Sequence, residues 1–158
     1  MAFGSQTPSE KVLELDDATI RFGCCYYINT DLDLVSCDDL SPLAAIFDER
    51  ADLLDCGQYG DGKWYATIEA SGSGVLEEDR GPDHDIRELL RVVAGLDEAA
   101  ARSWRGCEKR EFNIGWQAAE RRPEGSFSID AELLREIAHH DATLAVTIYP
   151  SCENDRTA

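Results

Sequence analysis

The stretch C-C-Y-Y-I-N-T-D-L-D-L-V, residues 24–35, decides the fold. Its even positions Tyr26, Ile28, Leu32 and Leu34 are apolar, while Asn29, Asp31 and Asp33 between them are polar. This period of two predicts a strand with one buried and one solvated face. Three further segments repeat it: Trp64, Ala66 and Ile68 against Lys63, Thr67 and Glu69; Phe112, Ile114 and Trp116 against Glu111, Asn113 and Gln117; and Leu144, Val146 and Ile148 against Thr143, Thr147 and Tyr149. A weaker strand over 52–56 pairs with 63–70 through the glycine-rich turn at 57–62. Parallel sheets covered on both faces read as continuous apolar runs, so one-sided alternation points to an antiparallel or mixed sheet with an open face.

Helices between the strands supply the cover. Ser41-Pro42 reads as an N-cap followed by a proline at the first helical position, opening a short helix with Leu43, Ile46 and Phe47. A second helix runs from about Asp83 to Gly95, with Ile86, Leu89, Leu90 and Val93 as its apolar stripe and Arg87, Glu88 and Arg91 facing water. Asp97 caps a further turn or two ending near Trp104 and Gly106. Asp130 caps the last helix, with Ile129 packing on Leu134, and with Leu133, Leu134 and Ile137 facing inward. The order is β-α-β-β-α-β followed by α-β, so the expected fold is α+β: a ferredoxin-like βαββαβ unit with an extra C-terminal αβ, and helices on one face of a largely antiparallel sheet.

With 158 residues, 43% hydrophobic and 30% charged, the chain has the composition of one globular domain. That domain is placed at 11–150, with frayed tails at 1–10 and 151–158. No apolar run approaches a membrane span, and residues 1–10 lack the basic and apolar regions of a signal peptide, which makes a cytoplasmic protein the expectation. The six cysteines, at 24, 25, 37, 56, 107 and 152, contain no C-x-x-C and no zinc-ligand spacing with a paired histidine. They read as small buried thiols in a reducing compartment.

At R-E-F-N-I-G-W, residues 110–116, at W-Y-A-T-I-E, residues 64–69, and at L-A-V-T-I-Y-P, residues 144–150, the chain resembles a group of small bacterial proteins with R-E-F-N-I-G and T-I-Y-P strand motifs. The resemblance spans about residues 24–150 and implies an α+β fold with no established reaction. It transfers no functional residue.

Charge separates the two halves. The net charge is -17; residues 1–85 hold 19 Asp/Glu against 5 Lys/Arg, and residues 86–158 hold 13 against 10. A field of that sign repels nucleic acid and anionic membranes and attracts a basic protein partner. Arg102, Arg105, Lys109, Arg110, Arg121 and Arg122 gather around the third main strand, as a counter-patch or a second partner surface. Templates for catalysis find no match: there is no His-Glu-x-x-His, no Gly-x-Ser-x-Gly, and Gly72-Ser73-Gly74 is followed by acids rather than by Lys-Ser/Thr. His84 between Asp83 and Asp85, and His139-His140 before Asp141, read as polar residues at helix ends. Asp31 and Asp33 share a solvated strand face but lack a converging third ligand, so neither metal nor cofactor is expected.

The candidate surface is therefore the wet sheet face, where Tyr27, Tyr65 and Tyr149 lie beside Asp31, Asp33, Asn113 and Gln117. The leading expectation is a non-enzymatic protein-binding module that engages a basic partner through its acidic N-terminal half, the open sheet face or both, with an immunity-type inhibitor of a cationic partner as one form. The alternatives are a small-ligand binder or enzyme with a site on the sheet face or under the 71–83 loop, where several of Tyr65, Asn113, Gln117, Asp31 and His84 converge, and a homo-oligomer joined through the open sheet.

Overall fold

A computed structural model of the protein describes residues 25–71, 80–118 and 127–150. The expected tails at 1–10 and 151–158, residues 72–79, and Cys24, Cys152, Arg121 and Arg122 lie outside the described residues. The strands are β1 (Tyr26–Ser36), β2 (Asp52–Gln58), β3 (Trp64–Glu69), β4 (Lys109–Gln117) and β5 (Thr143–Tyr149). The helices are α1 (Ser41–Asp48), α2 (Pro82–Ala94), α3 (Glu98–Gly106) and α4 (Ala131–His139). The expected α+β class is present: the strands form one open sheet in the order β2-β3-β1-β4-β5, antiparallel except for the β4–β5 pair. Among the described residues, no helix is long and apolar enough to cross a membrane.

The alternation works through the middle of the sheet. Leu32, Leu34, Ala66, Ile68, Phe112 and Ile114 are buried under the helices. Leu43 and Phe47 of α1, Ile86, Leu89 and Val93 of α2, Trp104 of α3, and Leu133 and Ile137 of α4 complete the core. The helix starts follow local chemistry. Asp97 accepts from the Ala100 amide at 2.9 Å and Asp130 from the Leu133 amide at 2.7 Å, each satisfying a donor that a first helical turn leaves open. Gly62, at φ +81, forms the tight β2–β3 turn, a backbone conformation that a side chain disfavours.

Three local expectations change. Ser41 is the first helical residue rather than the cap; Leu40 precedes it, and the Ser41 amide bonds to Asp39 Oδ1 at 2.7 Å. Leu134 is exposed rather than part of the inward stripe of α4, and so are Val146 and Ile148 on β5. β5 is an edge strand, and α4 has only nine residues with which to cover it. The cysteines are not uniformly buried: Cys107 is, while Cys37 is exposed and its thiol donates to Glu108 Oε1 at 2.9 Å.

The largest departure is at the start of β1. Tyr27 pairs with Trp116, but Asn29 pairs with Gly115, so Ile28 is an extra residue in β1 and forms a bulge against β4. An extra residue reverses which face each side chain takes. Tyr26 and Ile28, expected in the core, are exposed, and Tyr27, expected on the wet face, turns under the helices. Its ring meets Trp116 edge-on at 6.3 Å, and Trp116 in turn stacks on Phe127 at 5.2 Å.

Candidate functional site

The open face is built from the side chains that alternate away from the helices. Asn29, Asp31 and Asp33 of β1 lie between Thr67 and Glu69 of β3 and Glu111, Asn113 and Gly115 of β4. Asp52 and Asp55 of β2 extend the acidic side, and Thr147 and Tyr149 of β5 form the other margin. Asp31 sits directly across from both Glu69 and Asn113. Strand neighbours on one face stand about 5 Å apart, so these groups form a continuous surface rather than isolated residues.

Hydrogen bonds tie that surface together along β1 and between neighbouring strands. The Asn29 amide donates to Asp31 Oδ1 at 3.0 Å, Thr67 to Asp33 Oδ1 at 3.0 Å, and Thr147 to Asn113 Oδ1 at 2.8 Å. Lys109 reaches Glu111 at 2.7 Å and Asp33 at 3.7 Å, and Arg80 reaches Glu69 at 3.3 Å. Among the described residues, no cation is paired with Asp31. Partial burial, then the charges of Glu69 and Asp33, push its carboxyl up to about 6 from an ordinary 3.8.

Gly115 shapes the margin beside it. A Cβ there would stand 2.6 Å from Asn29 Oδ1 and 3.5 Å from the Tyr149 ring, so the absence of a side chain lets Asn29 and Tyr149 fold over the strand. Asp31, Asp33, Asn113, Gln117 and Tyr149 are thus brought onto one face. Gln117 lies at the end of β4, where its amide donates to the Tyr149 carbonyl at 3.3 Å. Tyr65 shares the face but sits opposite Val35, four residues along β1 from Asp31, which is about 13 Å of strand. Its hydroxyl donates to Asp61 at 2.6 Å, and its ring meets Tyr59 edge-on at 5.3 Å. Tyr27 is not on this face.

Tyr27 instead belongs to a second constellation, under the helices, centred on a residue that the periodicity did not single out. Asp85 of α2 is fully buried. Its carboxylate accepts from the Tyr27 hydroxyl at 2.5 Å and from Arg80 Nε at 3.0 and 3.2 Å, and His84 Nδ1 lies 3.1 Å away. The Tyr27 and Thr30 hydroxyls are 2.8 Å apart. Burial, then the bond to Asp85, raises the Tyr27 phenol far above its usual range, so it stays a neutral donor. Arg80 also donates to the Ala70 carbonyl at 2.7 Å, linking the buried carboxylate to Glu69 at the end of β3. The available sequence signal was Asp85 itself, one turn before Leu89 on the inward stripe of α2, where a charge needs a partner. His84 stays in this helix layer, so it does not converge with Asp31, Asn113 and Gln117.

The helix layer also holds two neighbouring cavities, of about 450 and 300 Å³, both lined by Ala94 and His140. Arg87, which lines the larger, is engaged by Asp130 at 2.7 Å and Glu136 at 3.5 Å. The expected basic surface around β4 is partly structural. Arg110 donates to the carbonyls of Trp104, Arg105, Cys107 and Asp141 at 2.9–3.2 Å, closing the C-terminus of α3. No group of His, Cys, Asp and Glu among the described residues is placed to hold a metal ion.

No family model, no curated protein and no solved structure matches this chain.

Proposed function

We propose that the protein is a non-enzymatic binding module whose open sheet face docks a basic protein partner. The observation that carries this reading is Asp31, held between Glu69 and Asp33 with no counter-ion of its own among the described residues. A half-buried carboxylate among like charges raises the energy of the folded chain. A partner lysine or arginine seated on this face would relieve that cost, and the wider negative field would steer the encounter. An immunity-type inhibitor that covers the cationic site of a toxin is the specific form we favour. Such a cover needs an open polar surface with fixed hydrogen-bonding groups, and the Asn29–Asp31, Thr67–Asp33 and Thr147–Asn113 bonds supply them.

We read the strand order β2-β3-β1-β4, antiparallel throughout, as a ferredoxin-like unit to which α4 and β5 add one parallel strand. The thiols at Cys37, Cys56 and Cys107 suit the reducing cytoplasm.

The test compares capture of proteins from the source cell by the wild type and by an Asp31→Asn/Asp33→Asn variant whose thermal stability is not reduced. Partners retained at low salt, released at high salt and lost on substitution support the reading. Retention that ignores both salt and the substitutions overturns it.

A further inference from the structure

The two edges of the sheet are built differently. β2 carries Asp52 and Asp55 and a bulge between Leu53 and Asp55, three features that discourage another strand from pairing with it. β5, T-L-A-V-T-I-Y, has no charge, no proline and no break in its register with β4. Among the described residues it pairs only with β4. Its helix-side residues Val146 and Ile148 are 46% and 69% exposed.

From this contrast we infer that β5 is a homodimer edge, pairing antiparallel with β5 of a second copy about a two-fold axis through Val146. The strand is complementary to itself in that register. On the helix side Val146 faces the partner subunit's Val146, and Leu144 faces the partner subunit's Ile148. On the open side Thr143 faces the partner subunit's Tyr149, and Ala145 faces the partner subunit's Thr147. Every cross-strand pair is apolar, or a small residue or threonine beside an aromatic or aliphatic one, and no charges are opposed. The backbone groups of the free edge are satisfied at the same time.

Charge selects a second copy over a basic partner at this edge. A neutral strand offers nothing to a cationic surface, whereas two chains of net charge -17 can approach only where their acids are distant. Asp31, Asp33, Asp52, Asp55 and Glu69 lie on β1, β2 and β3, and β5 is at the far edge from β2. A two-fold axis perpendicular to the sheet also keeps both open faces on the same side, so the dimer would present the acidic surface twice to one partner.

Sedimentation of the full chain over a concentration series tests this directly. The wild type should reach dimer mass. Val146→Lys, which sets two like charges opposite each other on the axis, and Ile148→Lys should each weaken association by about tenfold or more. Leu54→Lys, at an exposed position on β2, should leave it unchanged. Added salt should preserve or strengthen the dimer by screening the two acidic chains, opposite to its effect on capture of a basic partner. Far-ultraviolet circular dichroism confirms that the variants remain folded. A wild type that stays monomeric throughout, including one whose β5 amides are protected from exchange by its own chain, overturns the inference. So does a dimer that neither lysine substitution weakens.

Discussion

The hydroxyl of Tyr27, on the first strand, donates a 2.5 Å hydrogen bond to the fully buried carboxylate of Asp85, 58 residues later on the helix that covers it. Arg80 supplies the compensating charge from the segment leading into that helix. A buried carboxylate is tolerable only while its lone pairs and charge are met, and here three elements meet them together. Tyr27→Phe removes one donor and should lower unfolding stability by about 1–3 kcal/mol. Asp85→Ala leaves Arg80 and Tyr27 without their common acceptor and should lower it by about 3–5 kcal/mol. Urea denaturation of the two variants checks both the losses and their order.

How much of this was legible in the sequence depends on how local the cause was. The strands and their buried faces follow from a period of two, and the caps at Asp97 and Asp130 follow from adjacent residues, so both could be read from short windows. The bulge at Ile28 could not. Alternation through Tyr26 and Ile28 looks unbroken, and the extra residue is visible only in how β1 pairs with β4. One residue of register then moved Tyr27 from the proposed binding face to the core, while Asp31, Asp33 and Asn113, beyond the bulge, stayed where alternation put them. Exposure of Val146 and Ile148 was equally hidden, because an apolar strand position does not state whether a helix reaches it.

Gly115 gives a test of the open face that depends on a contact rather than on charge. Gly115→Ala forces the Asn29 amide away from a position 2.6 Å from the new methyl, and with it the bond from Asn29 to Asp31. Because the end of the Asn29 side chain can move, the loss should be about 1 kcal/mol. In the Asn29→Ala background the same substitution should cost less than half as much. Equal costs in both backgrounds, measured by chemical denaturation, would show that the two residues do not share that space.

Arg110 separates a structural cation from a surface one. Its guanidinium meets four backbone carbonyls, three from the end of α3 and one from Asp141 beyond α4. A lysine keeps the charge but lacks the planar fork that reaches several acceptors at once. Arg110→Lys should therefore destabilise by about 1–2 kcal/mol, nearly as much as Arg110→Met. Arg102, exposed and absent from this network, should tolerate the same changes within about 0.5 kcal/mol in thermal melting.

Asp31 predicts a pH dependence of unusual sign for a carboxylate. Its folded-state value is raised to about 6 from 3.8, so between these limits the folded chain holds a proton that the unfolded chain has released. Its contribution to stability therefore falls as pH rises from about 4 to 6, and the penalty is complete above that window. The group is only partly buried, so solvent screening reduces the effect to about 1 kcal/mol. Asp31→Asn should remove this component of the pH slope and stabilise the protein by a similar amount at pH 7, while weakening capture of a basic partner. Stability curves of the wild type and the variant that run parallel from pH 4 to 7 would show that neither burial nor the charges of Glu69 and Asp33 burden Asp31. A variant that is more stable yet binds less well is the signature of a charge kept for a partner at the expense of the fold.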